Sequence, residues 1–279
     1  MYRIHIFVYI YEMQSYNKHE FIGKFVFIWN LTINKKIGTM IINSVSINTI
    51  DTSLLKIFSV NRKFALLMAR RDKIDFIYNT SALEGNAMTY PEVQTLLEGI
   101  TVGGHKLSDE QQILNQNRSV NLFLEMIKNN EFHLNKETFL KLHSKVAFEE
   151  ALAWGEFRKS GVNIGGTEYQ PPLAGDLDDI FEAGIKELKK IKHPIVRAVT
   201  AFLFGAKCQF FYDGNKRTSR LIMNGVLLDS GYPILNIKAK DKLEFNKQMI
   251  NFYDGKNINS TIKYLLAYYV QKNKNLVLK

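Results

Sequence analysis

Beyond Thr52 the chain keeps its apolar residues three and four positions apart through one segment after another, a period that commits it to helices. The stretch "SLLKIFSVNRKFALLMARRDKIDFIYNTSALEG" holds this spacing until Gly85, a residue suited to ending a helix. "YPEVQTLLEG" follows as a proline-led helix, and "SDEQQILNQNRSVNLFLEMIKNN" as an amphipathic one with Ser108 as the expected N-cap. "NKETFLKLHSKVAF" repeats the pattern. Four further segments, "DLDDIFEAGIKELKKI", "PIVRAVTAFLFGAK", "TSRLIMNGVLLDSG" and "DKLEFNKQMINFYDG", also read as helices. With 279 residues, 46% of them hydrophobic, the chain can bury a substantial core.

Two regions depart from that period. Residues 1–53 are rich in β-branched and aromatic side chains and read as strand and loop. In "SGVNIGGTEYQPP", Val162 and Ile164 on one side of Gly165-Gly166 and Thr167 and Tyr169 on the other predict a β-hairpin stopped by two prolines. The expected organisation is an N-terminal segment over 1–53, a helical region over 54–100 and a main helical domain over 101–279. No run reaches the ~20 apolar residues of a membrane-spanning helix, the nearest, "FIGKFVFIWNLTI", being interrupted by Lys24. A single cysteine, Cys208, allows no internal disulfide and suggests a reducing, cytoplasmic setting. The formal charge of +10 suits an anionic partner. Its lysines are scattered, and no helix-turn-helix, zinc or RNA-binding signature accompanies them, which argues against nucleic acid.

Chemistry concentrates in "CQFFYDGNKRTSR", between two predicted helices. The N–H groups at a helix start lack intrahelical partners and sit at the positive end of the dipole, so a turn entering a helix near Lys216 is an anion site. Gly214 permits close approach of a phosphate. Arg217 and Arg220, three apart, lie on one side of the first turn and carry planar forks suited to anionic oxygens. Asp213 beside them suits Mg²⁺, which takes one or two carboxylates and completes its octahedron with phosphate and water. The same residues equally suit a plain structural role, with Asp213 paired to Arg217 or Arg220 to tie the loop to its helix.

The stretch "FFYDGNKRTSR" resembles the signature of the Fic family (Fic/Doc, the Fido domain). That signature is a histidine, usually proline, phenylalanine, any residue, an acid, Gly-Asn-Gly-Arg, two residues and arginine. Phe211, Asp213, Gly214, Asn215, Arg217 and Arg220 match it. "WGEFRKSGVNIGGTEYQPP" resembles the family's flap, and "TSALEGN" its inhibitory motif, a Ser or Thr followed by Glu and then Gly or Asn. The resemblance implies a mostly α Fic-fold bundle with a β-hairpin flap, acting as a protein adenylyltransferase that moves AMP from ATP to a hydroxyl of a target protein. Asp213 would bind Mg²⁺, and Gly214, Asn215, Lys216 and Arg217 would shape the anion hole. Arg220 would hold the γ-phosphate, and Val162, Ile164, Gly165 and Gly166 would form the flap that aligns the target. Thr80, Glu84 and Gly85 would form the inhibitory element, Glu84 competing with a phosphate for the second arginine.

Two positions break the family pattern. Gln209 stands where the family has its histidine, and an amide has no lone pair basic enough to take a proton near neutral pH. General-base help is typically worth ~10²–10⁴ in rate, so transfer should be severely slowed. Lys216 replaces the second glycine of the signature and gives "GNKR", as in the Doc branch, whose members transfer a terminal phosphate. The expected function is therefore an adenylyltransferase or a weakly active nucleotide-binding member of that family. The alternatives are a Doc-like phosphotransferase and a non-catalytic interaction module with a vestigial pocket. Cys208, His143 and His193 match no motif position.

Overall fold

The computed structural model describes residues 52–255 and 258–276. These form ten α-helices: α1 (Arg62–Arg71), α2 (Lys73–Leu83), α3 (Tyr90–Leu97), α4 (Leu107–Lys128), α5 (Lys136–Val146), α6 (Leu177–Lys190), α7 (Pro194–Cys208), α8 (Asn215–Asp229), α9 (Lys242–Tyr253) and α10 (Ile258–Asn273). None among the described residues is long and apolar enough to cross a membrane.

Helices α7 and α8 form the axis of the bundle. Every residue of α7 from Ala198 to Cys208 is buried, and so is every residue of α8 from Arg217 to Leu228. A helix apolar on all sides needs neighbours on all sides, and α7 accordingly packs against α6, α8 and α10. Helices α4 and α5 cover the outer face of α8, and α2 lies on α4. The α7–α8 crossing is close because Gly205 has no side chain: a Cβ there would lie 2.3 Å from Ser219 Oγ.

Local chemistry places the helix ends. Asn61 accepts from the N–H of Phe64 and Asn135 from that of Thr138, each at 3.0 Å, satisfying a donor at the starts of α1 and α5. The long helix expected over 53–85 is instead a 3₁₀ turn (Ser53–Ile57) followed by α1 and α2, separated at Asp72. The period survived this break because one face of both helices points to the same core. Ser108 is not a cap: α4 begins one residue earlier, at Leu107.

The expected β-hairpin flap is absent. No strand occurs among the described residues, and 161–173 is an irregular segment with a turn at Gly165-Gly166. A two-stranded ribbon alone is marginally stable, and here the side chains that predicted strand pairing pack elsewhere. Tyr169 stacks on Tyr253 at 6.2 Å, and Thr167 Oγ1 donates to Asp254 at the end of α9. The strand expectation for 1–53 falls almost wholly outside the described residues.

Candidate functional site

The site is assembled at the α7–α8 connection. α7 ends on Gln209, whose backbone adopts the left-handed conformation (φ +48°), a geometry uncommon outside glycine, Asn and Asp. Its side chain turns back on its own helix. Nε2 donates to the Ala206 carbonyl at 2.6 Å, and Oε1 accepts from Asn215 Nδ2 at 3.0 Å. Asn215 also closes the loop on Phe211, accepting from its N–H at 2.9 Å and donating to its carbonyl at 2.7 Å. Gly214 enters α8 with φ +72°, and a Cβ there would press to 3.1 Å from Val146.

Beneath the loop the two phenylalanines anchor it. Phe210 sits in a cluster with Phe157, Phe181 and Phe204, with ring centroids 4.9, 5.2 and 5.4 Å away. Phe211 stacks on His143 at 3.6 Å, nearly parallel. His143 is buried on α5 and uses both nitrogens, Nε2 donating to the Asp213 carbonyl at 3.0 Å and Nδ1 accepting from the Gly155 N–H at 3.1 Å. Burial holds its pKa down to about 4, so the ring stays neutral.

The charged residues divide into two groups. Asp213 keeps an exposed carboxylate, with Oδ1 accepting from Gly214 N at 2.6 Å and Oδ2 from Arg217 at 3.3 Å. Arg217 is buried and pairs with Glu150 at 2.7 Å. Arg220, also buried, meets Glu84 at 2.6 Å and makes further hydrogen bonds to Thr80, donating Nε to Oγ1 and Nη2 to the carbonyl, both at 3.2 Å. Lys216 reaches the other oxygen of Glu84 at 3.0 Å. Burial alone would raise the pKa of Glu84, but Arg220 and Lys216 together bring it down to about 2, so it is ionised. Gly85, with φ +98°, turns the chain just after it.

The 80–85 motif and the 209–220 loop, which the family resemblance linked, meet at the Glu84–Arg220 contact, 136 positions apart. The two arginines, however, are held by different carboxylates, and Glu150 belongs to no recognised motif. Arg158 was also missed. It is almost wholly buried, and its guanidinium is met by carbonyls: it donates to that of Gln209 at 2.6 Å, to that of Ser160 at 2.7 Å and to that of Pro172. Val162, Ile164, Gly165 and Gly166 lie in the segment this arginine ties down, and Ile164 packs on the core. An arginine inside "WGEFRKSG" looks solvated in sequence; only its carbonyl partners, distant along the chain, reveal it. Cys208 is fully buried, with its thiol pKa pushed far up by that burial, which removes it as a nucleophile.

Asp213 offers a lone exposed carboxylate, and no group of three or more His, Cys, Asp or Glu able to hold a metal occurs among the described residues. That donor set fits an ion bound largely through phosphate oxygens and water, the habit of Mg²⁺, rather than an all-protein cage.

A helical bundle whose central helix pair is joined by such a loop is a Fic fold. Residues 133–227 match the profile of the Fic/DOC family. The chain is 29% identical over 178 residues to the protein adenylyltransferase Fic of Aedes aegypti, covering 62% of this chain and 35% of that protein. It is 28% identical over 207 residues to that of Drosophila ananassae, covering 71% and 41%. Among solved structures, a Fic domain containing signaling protein from Bacteroides thetaiotaomicron superposes with a TM-score of 0.65 at 20% identity, covering 88% of this chain and 95% of that one. Fic-1 from C. elegans gives 0.65 at 17% identity, covering 95% and 78%. Residues 133–227 thus match the Fic/DOC family, and the fold is that of solved Fic proteins. It spans a little over a third of the length of the adenylyltransferases it matches.

Proposed function

We propose that this chain binds ATP with Mg²⁺ at the 209–220 loop as an adenylyltransferase-type Fic protein, that Glu84 restrains that binding, and that Gln209 leaves AMP transfer to a target hydroxyl slow or absent. The observation that carries the reading is Glu84 bridging Lys216 and Arg220 at 3.0 and 2.6 Å. A carboxylate takes the place of a phosphate on two cations at a helix start, so the groups that hold it are those that would hold an anion of the substrate. Asp213 would face the metal, which supplies charge neutralisation on the phosphates when bound. Gly214 and Asn215 keep the loop open to them.

On the chemical side, Gln209 has no lone pair basic enough to take a proton, and its amide is occupied at both ends. Binding is therefore the retained property and transfer the diminished one. Calorimetry of ATP with Mg²⁺ tests the first half: we expect Glu84→Gly to bind at least tenfold tighter than the native chain, about 1.4 kcal/mol. Unchanged affinity would discard the restraint, and no heat from either protein would leave a vestigial pocket. Label transfer from α- against γ-labelled ATP, in Gln209→His with Glu84→Gly, tests the second. Transfer of the γ label alone would replace the adenylyl reading with a phosphotransferase one.

A further inference from the structure

Arg217 is the family's first signature arginine, yet its guanidinium has no face turned outward. Its side chain is 3% exposed. Nη1 is shared between Glu150 Oε2 at 2.7 Å and the Val146 carbonyl at 3.3 Å, and Nη2 goes to Asp213 Oδ2 at 3.3 Å. A phosphate could reach this group only by displacing a carboxylate. Glu150 is anchored in its turn, since its Oε1 accepts from Asn115 Nδ2 at 2.7 Å, and Asn115, fully buried on α4, also donates to the Phe148 carbonyl.

We infer that Glu150 is a positioning residue for the Asp213 carboxylate, acting through Arg217; this rests on the reading above that Asp213 faces a nucleotide-bound cation. One guanidinium shared by two carboxylates leaves a net charge of −1. Of the two acids Glu150 is 12% exposed and Asp213 64%, so the surplus charge faces solvent at Asp213. The distances show the direction of pull, Arg217 lying closer to Glu150 than to Asp213. Without the Glu150 charge the fork would turn fully onto Asp213, pair with it bidentately and cancel the charge a cation needs. Asp213 is meanwhile fixed from two other sides, by His143 on its carbonyl and by Gly214 N–H on Oδ1. Arg217 thus shapes a cation site, and the anion-facing cations of the loop are Lys216 and Arg220.

The test is Mn²⁺ binding to the full chain at saturating ATP, followed by the electron paramagnetic resonance of free Mn²⁺, with ATP affinity in EDTA measured alongside. Partners of a metal ligand typically alter metal affinity ~10- to 100-fold. We expect Glu150→Gln to lose about tenfold in Mn²⁺ affinity while ATP affinity in EDTA stays within about twofold, a split that a merely structural role would not produce. Asp213→Asn should lose more. If Asp213→Asn loses Mn²⁺ and Glu150→Gln matches the native chain, the positioning role is overturned and the nucleotide reading stands. If Asp213→Asn also matches the native chain, both fall. Should Glu150→Gln fail to fold, Glu150→Asp keeps the charge and is expected to retain Mn²⁺ affinity within about threefold, a tenfold loss there overturning the inference.

Discussion

Replacing Glu84 by Gln removes a charge without removing volume, and the structure sets opposite consequences for stability and for binding. Arg220 is 1% exposed and Glu84 16%, so the lost partner leaves a buried guanidinium uncompensated. Breaking a buried pair in this way costs about 3–5 kcal/mol. Arg220 keeps two acceptors on Thr80, which points to the lower end, about 3 kcal/mol. For a domain of this size that is a fall in Tm of about 6–12 °C. Bound polyphosphate should offset the loss, because it supplies the missing negative charge: at a hundredfold excess over Kd a ligand adds about 2.7 kcal/mol. Thermal unfolding by circular dichroism, with and without ATP and Mg²⁺, reads both effects. Glu84→Gln should melt lower than the native chain alone and recover most of the difference with nucleotide, whereas the native chain gains little. The ionised state also carries a pH signature. With its pKa lowered from 4.5 to about 2 in the folded chain, Glu84 contributes fully above pH 4.5, and that contribution drains away as the pH falls toward 2. The variant should lack that part of the acid loss. A native chain that gains as much from nucleotide as the variant would refute the competition, and an unchanged Tm would refute the energetics.

His143 should produce a separate loss at higher pH. Its folded pKa is lowered from 6.5 to about 4 by burial, so its contribution is complete above pH 6.5 and is lost as the pH falls to 4, about 3 kcal/mol in all; urea midpoints of His143→Asn across that range should slope less than those of the native chain. Gly205→Ala should cost about 1–3 kcal/mol by overpacking against Ser219, and Ser219→Ala in the same chain should recover part of it, as a double-mutant cycle of Tm or urea midpoints would show. Gln209→His alone should raise transfer of the α label only slightly while Glu84 is in place, whereas with Glu84→Gly it should gain ~10²-fold or more, measured by label incorporation.

The helices were legible because one-sided burial writes a period into the sequence, whereas α7, buried nearly all round, stood out instead as a dense apolar run. The break at Asp72 was not legible, since α1 and α2 address the same core and the apolar spacing hardly changes across it. The hairpin failed for a related reason. Alternation at 162–169 records which side chains find apolar partners, and Tyr169 finds its partner in Tyr253 of α9 rather than across a strand pair. Within the site, residues contiguous in one motif could be grouped from the sequence. Glu150, Arg158 and His143 could not, because what gives each a role is a backbone carbonyl or a guanidinium brought near by the fold. His143 is 70 positions from the Asp213 carbonyl it holds, and Arg158 is 51 from Gln209.

Those long-range contacts also bear on how Gln209 is to be understood. A residue that had merely lost its role would be expected to leave its side chain free or replaceable. Gln209 instead joins the last turn of α7, through Ala206, to Asn215 at the start of α8, and Asn215 in turn fastens Phe211. Both needs, a donor toward Ala206 and an acceptor toward Asn215, are met by one amide. A neutral imidazole also has one donor and one acceptor, but on a rigid ring whose two nitrogens diverge, so it would meet one need at the expense of the other. An unpaired group beside the buried Ala206 and Asn215 is costly, and the Arg158 clamp on the Gln209 carbonyl restrains the backbone from adjusting. The glutamine is therefore integrated into the loop's own structure, and what it secures is the shape of the turn entering α8. That shape is what the proposed anion site would require, and it is independent of the proton transfer that glutamine cannot perform.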